Sequence, residues 1–300
     1  MTRIEKVVYS ALTAAFRLLG HIPLEWTPTL AGPLGHLAFR LDSKHQRIVL
    51  SNLTRALGPT KSPHEIRCLA RSVFKNLVQV ILEVGWSLRL EKDDLDKYFS
   101  VEGMPRLERA YRQNKGVLVL TAHFGNWELL TVIAALIGYP TSIVVRPLDF
   151  TPLEAFFHEL RSRYGASLIR KNSMRSVLGR LRKRNMVGIL MDQNVDWYEG
   201  VFVDFFGHLA CTSKGLALLA LKTKAPVIPL FLVRTPSGFK AVIGHEVPLV
   251  KTGDMRKDIE ANTEQYNRII ESIVRQYPEQ WFWVHQRWKT KTVCPWPNGQ

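Results

Sequence analysis

From residue 101 onward, short apolar runs rich in Val and Ile alternate with longer stretches whose apolar residues recur at helical spacing. The runs Gly116 to Thr121, Thr141 to Val145, Met186 to Met191, Pro226 to Val233 and Phe239 to Val247 predict strands. Stretches near 127–137, 151–164, 173–184, 212–224 and 256–277 predict the helices between them. Continuously apolar strands separated by helices belong to sheets covered on both faces. The expected fold class is therefore α/β, a mostly parallel central sheet flanked by helices. Upstream, residues 43–90 read as helical, with Ile66, Leu69, Ala70, Val73, Leu77, Val80, Ile81 and Val84 in register. With no internal repeat and no linker, the expectation is a helical N-terminal region at 1–42 followed by a single α/β domain at 43–300.

The first 42 residues follow a different pattern. A polar start, Met1 to Lys6, precedes the uncharged Val7 to Phe16; after Arg17 the apolar character resumes from Leu18 to Leu24. A second uncharged stretch, Trp26 to Phe39, contains Pro28, Gly32, Pro33 and Gly35. Neither reaches the ~20 continuous apolar residues of a spanning helix, and no clear cleavage site marks a secretory signal. Leu12, Phe16, Leu18, Leu19 and Trp26 beside Arg3, Lys6 and Arg17 suit a helix lying in a membrane interface. A helix packed on the domain is the other reading. Leu129 to Val145 is also free of charge, but Gly138 and Pro140 divide it into a buried helix and a buried strand.

Charge narrows the partners. Lys and Arg number 41 against 26 acidic residues, a formal net charge of +15, which favours anionic partners: nucleic acid, a membrane surface, a phosphorylated substrate or an acidic protein. Much of the excess lies in Arg170, Lys171, Arg175, Arg180, Arg182, Lys183 and Arg184. Cys68, Cys211 and Cys294 are odd in number and far apart, so neither a disulfide framework nor a zinc site follows, and a reducing compartment, or at least a fold indifferent to oxidation, is expected. No two histidines have the close spacing of a metal helix, and His64-Glu65 with Cys68 lacks a second histidine. GxSxG, P-loop and GxGxxG motifs are absent as well.

Three strand candidates end in polar residues suited to catalysis: Gly116 to Ala122 at His123, Thr141 to Val145 at Arg146, and Met186 to Met191 at Asp192-Gln193-Asn194. In open α/β sheets ligands bind beyond the carboxyl ends of strands, so His123, Arg146 and Asp192 are expected to converge. Within HFGNWE, His123 and Glu128 would point apart on one continuous helix. Gly125-Asn126 supplies a break, with Asn126 as N-cap and Glu128 in the first helical turn. The expected pair is His123 as general base and Glu128 folded back to orient its ring. Each residue also has a plain structural reading, and it is their joint placement that favours chemistry.

HFGNWELL, VVRP, MDQN, VFVDFFG, CTSKGLALLALKTKAPVIP and EQWFWVHQRWKT, in that order, resemble the blocks of the lipid A biosynthesis (late) acyltransferases of the lysophospholipid acyltransferase superfamily. The match runs from about residue 5 to 291. One departure is Asp204, where related sequences often have proline. The resemblance implies a glycerol-phosphate acyltransferase-like fold and an O-acyltransferase. Its donor would be a fatty acyl thioester on acyl carrier protein, with acyl-coenzyme A as the alternative, and its acceptor a hydroxyl of a glycolipid, a lipid A precursor. It implies His123 and Glu128 as the catalytic pair, and Arg146, Asp192, Asn126, Gln193 and Arg170 as substrate-binding residues, Arg146 for anion binding or oxyanion charge. It further implies no cofactor and no metal, and attachment to the cytoplasmic face of a bacterial inner membrane. Trp281, Trp283 and Trp288 with Arg287 and Lys289 resemble an interfacial aromatic-basic anchor, with at least some of these tryptophans expected in the core. Another membrane lipid as acceptor is the runner-up. A nucleic-acid-binding protein, suggested by charge alone, is opposed by the apolar N-terminus and the lack of a recognised motif. A metal-dependent hydrolase built on His123, Glu128 and Asp192 is the third reading.

Overall fold

A computed structural model describes residues 1–171 and 173–292; Cys294 lies outside them. Four helices come first: α1 (Arg3–Leu19), α2 (Thr27–Leu41), α3 (Ser43–Leu57) and α4 (Pro63–Ser87), then the short α5 (Leu95–Tyr98). The α/β part follows as β1 (Phe99–Glu102), α6 (Met104–Tyr111), β2 (Val117–Thr121), α7 (Leu130–Ile137), β3 (Thr141–Val145), α8 (Thr151–Ser162), β4 (Ser167–Arg170), α9 (Met174–Arg182) and β5 (Met186–Leu190). A hairpin, β6 (Gly200–Phe205) and β7 (His208–Ser213), leads to α10 (Gly215–Thr223), β8 (Val227–Thr235), β9 (Gly238–Ile243) and α11 (Met255–Gln276).

The main sheet has seven strands in the order β1-β9-β8-β2-β5-β3-β4, and the hairpin stands apart as its own two-stranded sheet. All neighbours in the main sheet are parallel except β8 and β9, which pair antiparallel. The α/β expectation therefore holds. The strand β2 sits at the centre and is buried along its whole length. Its residues alternate between two cores: Leu118 and Leu120 face one beneath α3, α9, α10 and α11, while Val117 and Val119 face the other beneath α6 and α7. That is why its sequence is uniformly apolar rather than alternating.

Three elements depart from expectation. The predicted helical run 43–90 divides into α3 and α4, because Ser62 and Glu65 form a capping box that starts a new helix at Pro63. The edge strands β1 and β4 are four residues each, too short to stand out by pattern. The hairpin of VFVDFF and HLACTS overlaps the start of the helix predicted at 212–224, which begins instead at Gly215.

The N-terminal helices pack and also expose apolar surface. In α2 the buried residues Thr27, Ala31, Gly35 and Phe39 recur every fourth position. They meet α4 so closely that a Cβ on Gly35 would lie 2.6 Å from the Lys75 Cα. Leu34, Leu37 and Leu41 point outward from the same helix. In α1, Phe16 stacks on Phe156 of α8 at 4.5 Å and Tyr9 donates to Glu159 at 2.5 Å, leaving Ile4, Val7 and Leu18 exposed. No single helix among the described residues is long and apolar enough to cross a membrane; α1 and the segment Leu24–Leu41 form one apolar pair bent by 90°.

The loop after β2 depends on a backbone conformation that an L side chain resists. Gly125 has φ +58°, and a Cβ there would fall 2.0 Å from the Leu232 carbonyl oxygen. Gly125→Ala therefore combines a left-handed conformation with a clash against β8. It is expected to cost at least about 2 kcal/mol and to lower the thermal midpoint by several degrees. An unchanged midpoint by calorimetry would contradict this reading of the turn.

Candidate active site

In the β2–β5 pair, Thr121 aligns with Leu190. His123 and Asp192 lie two residues beyond these partners, so parallel register alone places them side by side, 69 positions apart in sequence. The His123 Nδ1 lies 2.8 Å from Asp192 Oδ1, and the His123 backbone N–H donates to Asp192 Oδ2 at 3.1 Å. Trp281 Nε1 donates to the same Oδ2 at 2.8 Å. Asp192 is 2% exposed. Burial pushes its carboxyl up, but the His123 charge and the three hydrogen bonds outweigh that and hold it below the ordinary carboxylate range. An ionised carboxylate only accepts, so the imidazole presents Nδ1–H to Asp192, and in its neutral form the ring has the Nε2 lone pair facing outward. The His123 side chain keeps 22% of its surface, and Gln193 Nε2 lies 3.4 Å from that outward nitrogen.

The expected contact between Glu128 and the His123 ring is absent. Glu128 accepts from Arg161 Nε and Nη2, both at 2.7 Å, and from Trp127 Nε1 at 3.0 Å. The cause is local geometry: Trp127–Leu129 form a 3-10 turn running into α7, which aims Glu128 at α8 rather than back over the strand end. Burial would lower the Arg161 guanidinium, but the hydrogen bonds and charge of Glu128 raise it above its ordinary value. Trp127 links the two groups, its ring 5.5 Å from that of His123 and edge-on to it.

Asn126 precedes this turn as expected, but its side chain makes no cap. It is fully buried, its amide nitrogen donating to Val80 O and Glu83 Oε2 in α4, which makes it a support of the loop rather than part of a lining. Arg146 does not converge with His123 and Asp192. It ends β3, a strand beyond β5, and lies 75% exposed beside Asp149 at 3.6 Å. Arg170, at the end of edge strand β4, is exposed and lines a separate basic cleft with Arg180 and Lys183.

The C-terminal segment was the part least legible in sequence. Trp281, Trp283, Trp288 and Arg287 are buried, so the core placement expected of some of these tryptophans extends to all three, and the four side chains form a core clamp instead of an interfacial anchor. Gly125 N–H donates to Gln280 O, Phe282 N–H donates to His123 O, and Phe124 bridges Trp281. On the other side Asn194 N–H donates to His285 Nε2 at 2.7 Å, and the Asn194 side chain exchanges hydrogen bonds with Thr290. One segment thus ties down the loops of both His123 and Asp192. Behind it, Arg234 of β8 pairs with the fully buried Glu83 and bonds Asn76, while the Gln280 side chain exchanges two hydrogen bonds with the Arg234 backbone. Arg161, Glu83 and Arg234 carried no signal short of contact; their sequence spacing matches no motif.

An apolar crevice of about 40 Å³ opens beside the pair, between α7 and the sheet. Val119, Thr121, Ile133, Ala134, Gly188 and Leu230 are among its lining. Thr121 is two residues from His123, and its buried hydroxyl has no hydrogen-bond partner among the described residues. Among the described residues no cluster of His, Cys, Asp and Glu is arranged to hold a metal ion.

Burial pushes the His285 imidazole down to about 4 from 6.5. Between those values the unfolded chain binds a proton that the folded chain refuses, so stability falls as pH drops through the window. The loss amounts to about 3 kcal/mol at its limit. Thermal midpoints measured from pH 7 to pH 4 are expected to fall less steeply in His285→Gln than in the wild type; parallel curves would contradict the assignment.

The family model described as bacterial lipid A biosynthesis acyltransferase matches residues 2–290. The lipid A biosynthesis palmitoleoyltransferase of Escherichia coli (strain K12) is 28% identical over 263 residues, covering 87% of this chain and 84% of that protein. A lipid A biosynthesis acyltransferase of Haemophilus influenzae (strain ATCC 51907 / DSM 11121 / KW20 / Rd) is 26% identical over 276 residues, 91% of this chain and 85% of the relative. The lipid A biosynthesis lauroyltransferase of Escherichia coli (strain K12) is 26% identical over 263 residues, 86% and 83% of the two chains. With its α/β sheet and a family match spanning nearly its whole length, this chain belongs to the bacterial lipid A biosynthesis acyltransferases.

Proposed function

We propose that the protein transfers a fatty acyl chain from an acyl thioester, carried on acyl carrier protein or coenzyme A, to a hydroxyl of a lipid A precursor. The observation that carries the chemistry is the His123–Asp192 pair, with Nδ1 engaged at 2.8 Å and Nε2 directed outward. His123 Nε2 removes the proton of the acceptor hydroxyl as its oxygen attacks the thioester carbonyl. The ionised Asp192 fixes the tautomer and stabilises the imidazolium that forms. Collapse of the tetrahedral intermediate breaks the carbon–sulfur bond, and the imidazolium returns the proton to the departing thiolate. No cofactor enters this sequence of proton transfers.

Glu128 in this reading is a positioning residue. Its bidentate pair with Arg161 joins the turn before α7 to α8, and its hydrogen bond to Trp127 holds that indole against the His123 ring. Gln193, next to Nε2, is the group placed to contact the acceptor. The crevice between α7 and the sheet supplies apolar surface for the acyl chain, starting at Thr121 beside the reacting centre. The exposed Ile4, Val7, Leu18, Leu34, Leu37 and Leu41 of the first two helices give the molecule an apolar side for the cytoplasmic face of the inner membrane.

Purified protein assayed with acyl thioesters and a lipid A precursor tests the mechanism. His123→Ala is expected to abolish transfer. Asp192→Asn, which keeps the shape but exchanges the acceptor that selects the tautomer, is expected to lose about 10³–10⁴-fold in kcat. Glu128→Gln keeps one acceptor oxygen for Arg161 and should lose less than Asp192→Asn; the reverse order would return the orienting role to Glu128. Near-wild-type turnover in a folded Asp192→Asn protein would overturn the mechanism.

The crevice gives a separate test. Ala134→Phe fills its lining and is expected to shift donor preference to shorter chains, seen as a fall in kcat/KM of tenfold or more for the longest accepted thioester relative to the shortest. An equal loss for all chain lengths would remove the acyl chain from this crevice.

A further inference from the structure

Among the described residues, Arg287 is the only cation fully buried from solvent. A guanidinium so placed is ordinarily matched to a carboxylate, because losing its water is costly without an opposite charge. Here every acceptor is uncharged: the Cys211 carbonyl at 2.9 Å, the Thr212 hydroxyl, and the Asn267 amide oxygen at 3.5 Å. Its Nε has no hydrogen-bond partner among the described residues, and its Cζ lies 5.0 Å from the centre of the Phe205 ring. Burial pulls the guanidinium down to about 10, and the charge that chiefly opposes this fall is that of Asp192.

Asp192 is the matching case. It too is buried, and its donors are a backbone N–H, an indole and an imidazole, which in its neutral form carries no charge. Two contacts tie the anion and the cation into one core. Phe205 touches the Arg287 guanidinium, and its ring centre lies 5.5 Å from that of Trp281, whose indole donates to Asp192. Asn194, two residues beyond Asp192, bridges antiparallel to Thr212, whose hydroxyl accepts from Arg287. After burial itself, the largest influences on Asp192 are its direct contacts with His123 and Trp281. The more remote cation adds to them.

We propose that Arg287 is the counter-charge of Asp192 and, through that carboxylate, a positioning residue for the His123–Asp192 pair. A fixed cation behind the carboxylate keeps it ionised and opposes the arrival of a proton from water on the pair. His123 thereby stays able to take the proton of the acceptor hydroxyl at lower pH. The kinetic consequence rests on the acyl-transfer reading; the charge balance does not. Other titratable groups face the same core: His285 and Lys289 from the C-terminal segment, Cys211 from β7, Lys214 ahead of α10, and Asp196 from the loop after β5. Glu271 of α11 is already paired with Arg275. Burial lowers His285 to about 4 and raises the Cys211 thiol, so neither changes charge in the neutral range. Lys214, Lys289 and Asp196 are common to every variant below.

Two measurements on the full-length protein test it. The first is a double-mutant cycle on thermal midpoints that combines Asp192→Asn with Arg287→Met, an unbranched apolar replacement. Arg287→Met is expected to lower the midpoint by several degrees more in the wild-type background than in Asp192→Asn, where the cation has already lost its anion. A methionine variant that folds only together with Asp192→Asn is the same coupling at its extreme. Equal losses in both backgrounds would overturn the charge balance. The second is the pH dependence of kcat/KM for acyl transfer. Its acid limb is expected to move up by about half a unit or more in Arg287→Met and to stay close to the wild-type position in Arg287→Lys, which keeps the charge. The methionine variant therefore loses at least about threefold near pH 6 and recovers towards wild-type activity near pH 9, a pattern that loosening of the fold does not produce. The displacement is expected to persist in a His285→Gln background. A limb that stays in place in Arg287→Met, or moves only while His285 is present, would overturn the role assigned to Arg287. Coupled midpoints in a protein that transfers no acyl group would uphold the charge balance and count against the acyl-transfer reading alone.

Discussion

A buried carboxylate at the end of a central strand organises the reactive part of this molecule. Asp192 gives up nearly all of its water, and accepts in return from the His123 backbone, the His123 ring and the Trp281 indole. Removing any one of these donors would leave the buried charge short of part of its compensation, a costly defect in a folded protein. Three chain segments are thereby held to one point: the strand-to-loop transition after β2, its counterpart after β5, and the C-terminal segment that crosses both. The same satisfaction that makes the carboxylate tolerable in the core also fixes which nitrogen of His123 faces outward.

That arrangement in turn depends on buried polar groups further from the site. Glu83 and Arg234 form an ion pair with the acid fully buried, and Gln280 bonds the Arg234 backbone in both directions. Gln280 also passes its carbonyl to Gly125, one residue from the turn that carries His123. A network of this kind adds little net stability over an apolar core of equal volume, but it penalises every alternative placement of its members. Here its effect is to set the position of the His123 loop relative to β8 and α4. The Glu128–Arg161 pair does the same on the opposite side, joining the turn before α7 to α8.

Much of the fold was readable because the central strands are buried on both faces and the helices between them keep a regular period. The three strand ends were correctly placed on one rim of the sheet, yet only two of their residues meet. Sheet order decides this: β5 lies beside β2, while β3 lies beyond it, and nothing in the local pattern of Thr141 to Val145 reveals that separation. The partner of His123 was misassigned for a related reason. Five residues of sequence proximity suggested Glu128, whereas parallel register brings in Asp192 from 69 residues away. The tryptophan-rich C-terminal segment has the composition of an interfacial anchor, and only its burial against the two loops shows it to be their clamp. Where long-range pairing sets the contact, composition and spacing are weak guides.

The tautomer of His123 is the most direct measure of the central interaction. Nitrogen-15 NMR of protein with labelled histidine at neutral pH is expected to show the proton on Nδ1, hydrogen-bonded and slow to exchange. That signature should persist in Glu128→Gln and disappear in Asp192→Asn. A proton resident on Nε2 in the wild type, or an Nδ1 proton lost with Glu128 and kept without Asp192, would contradict the account.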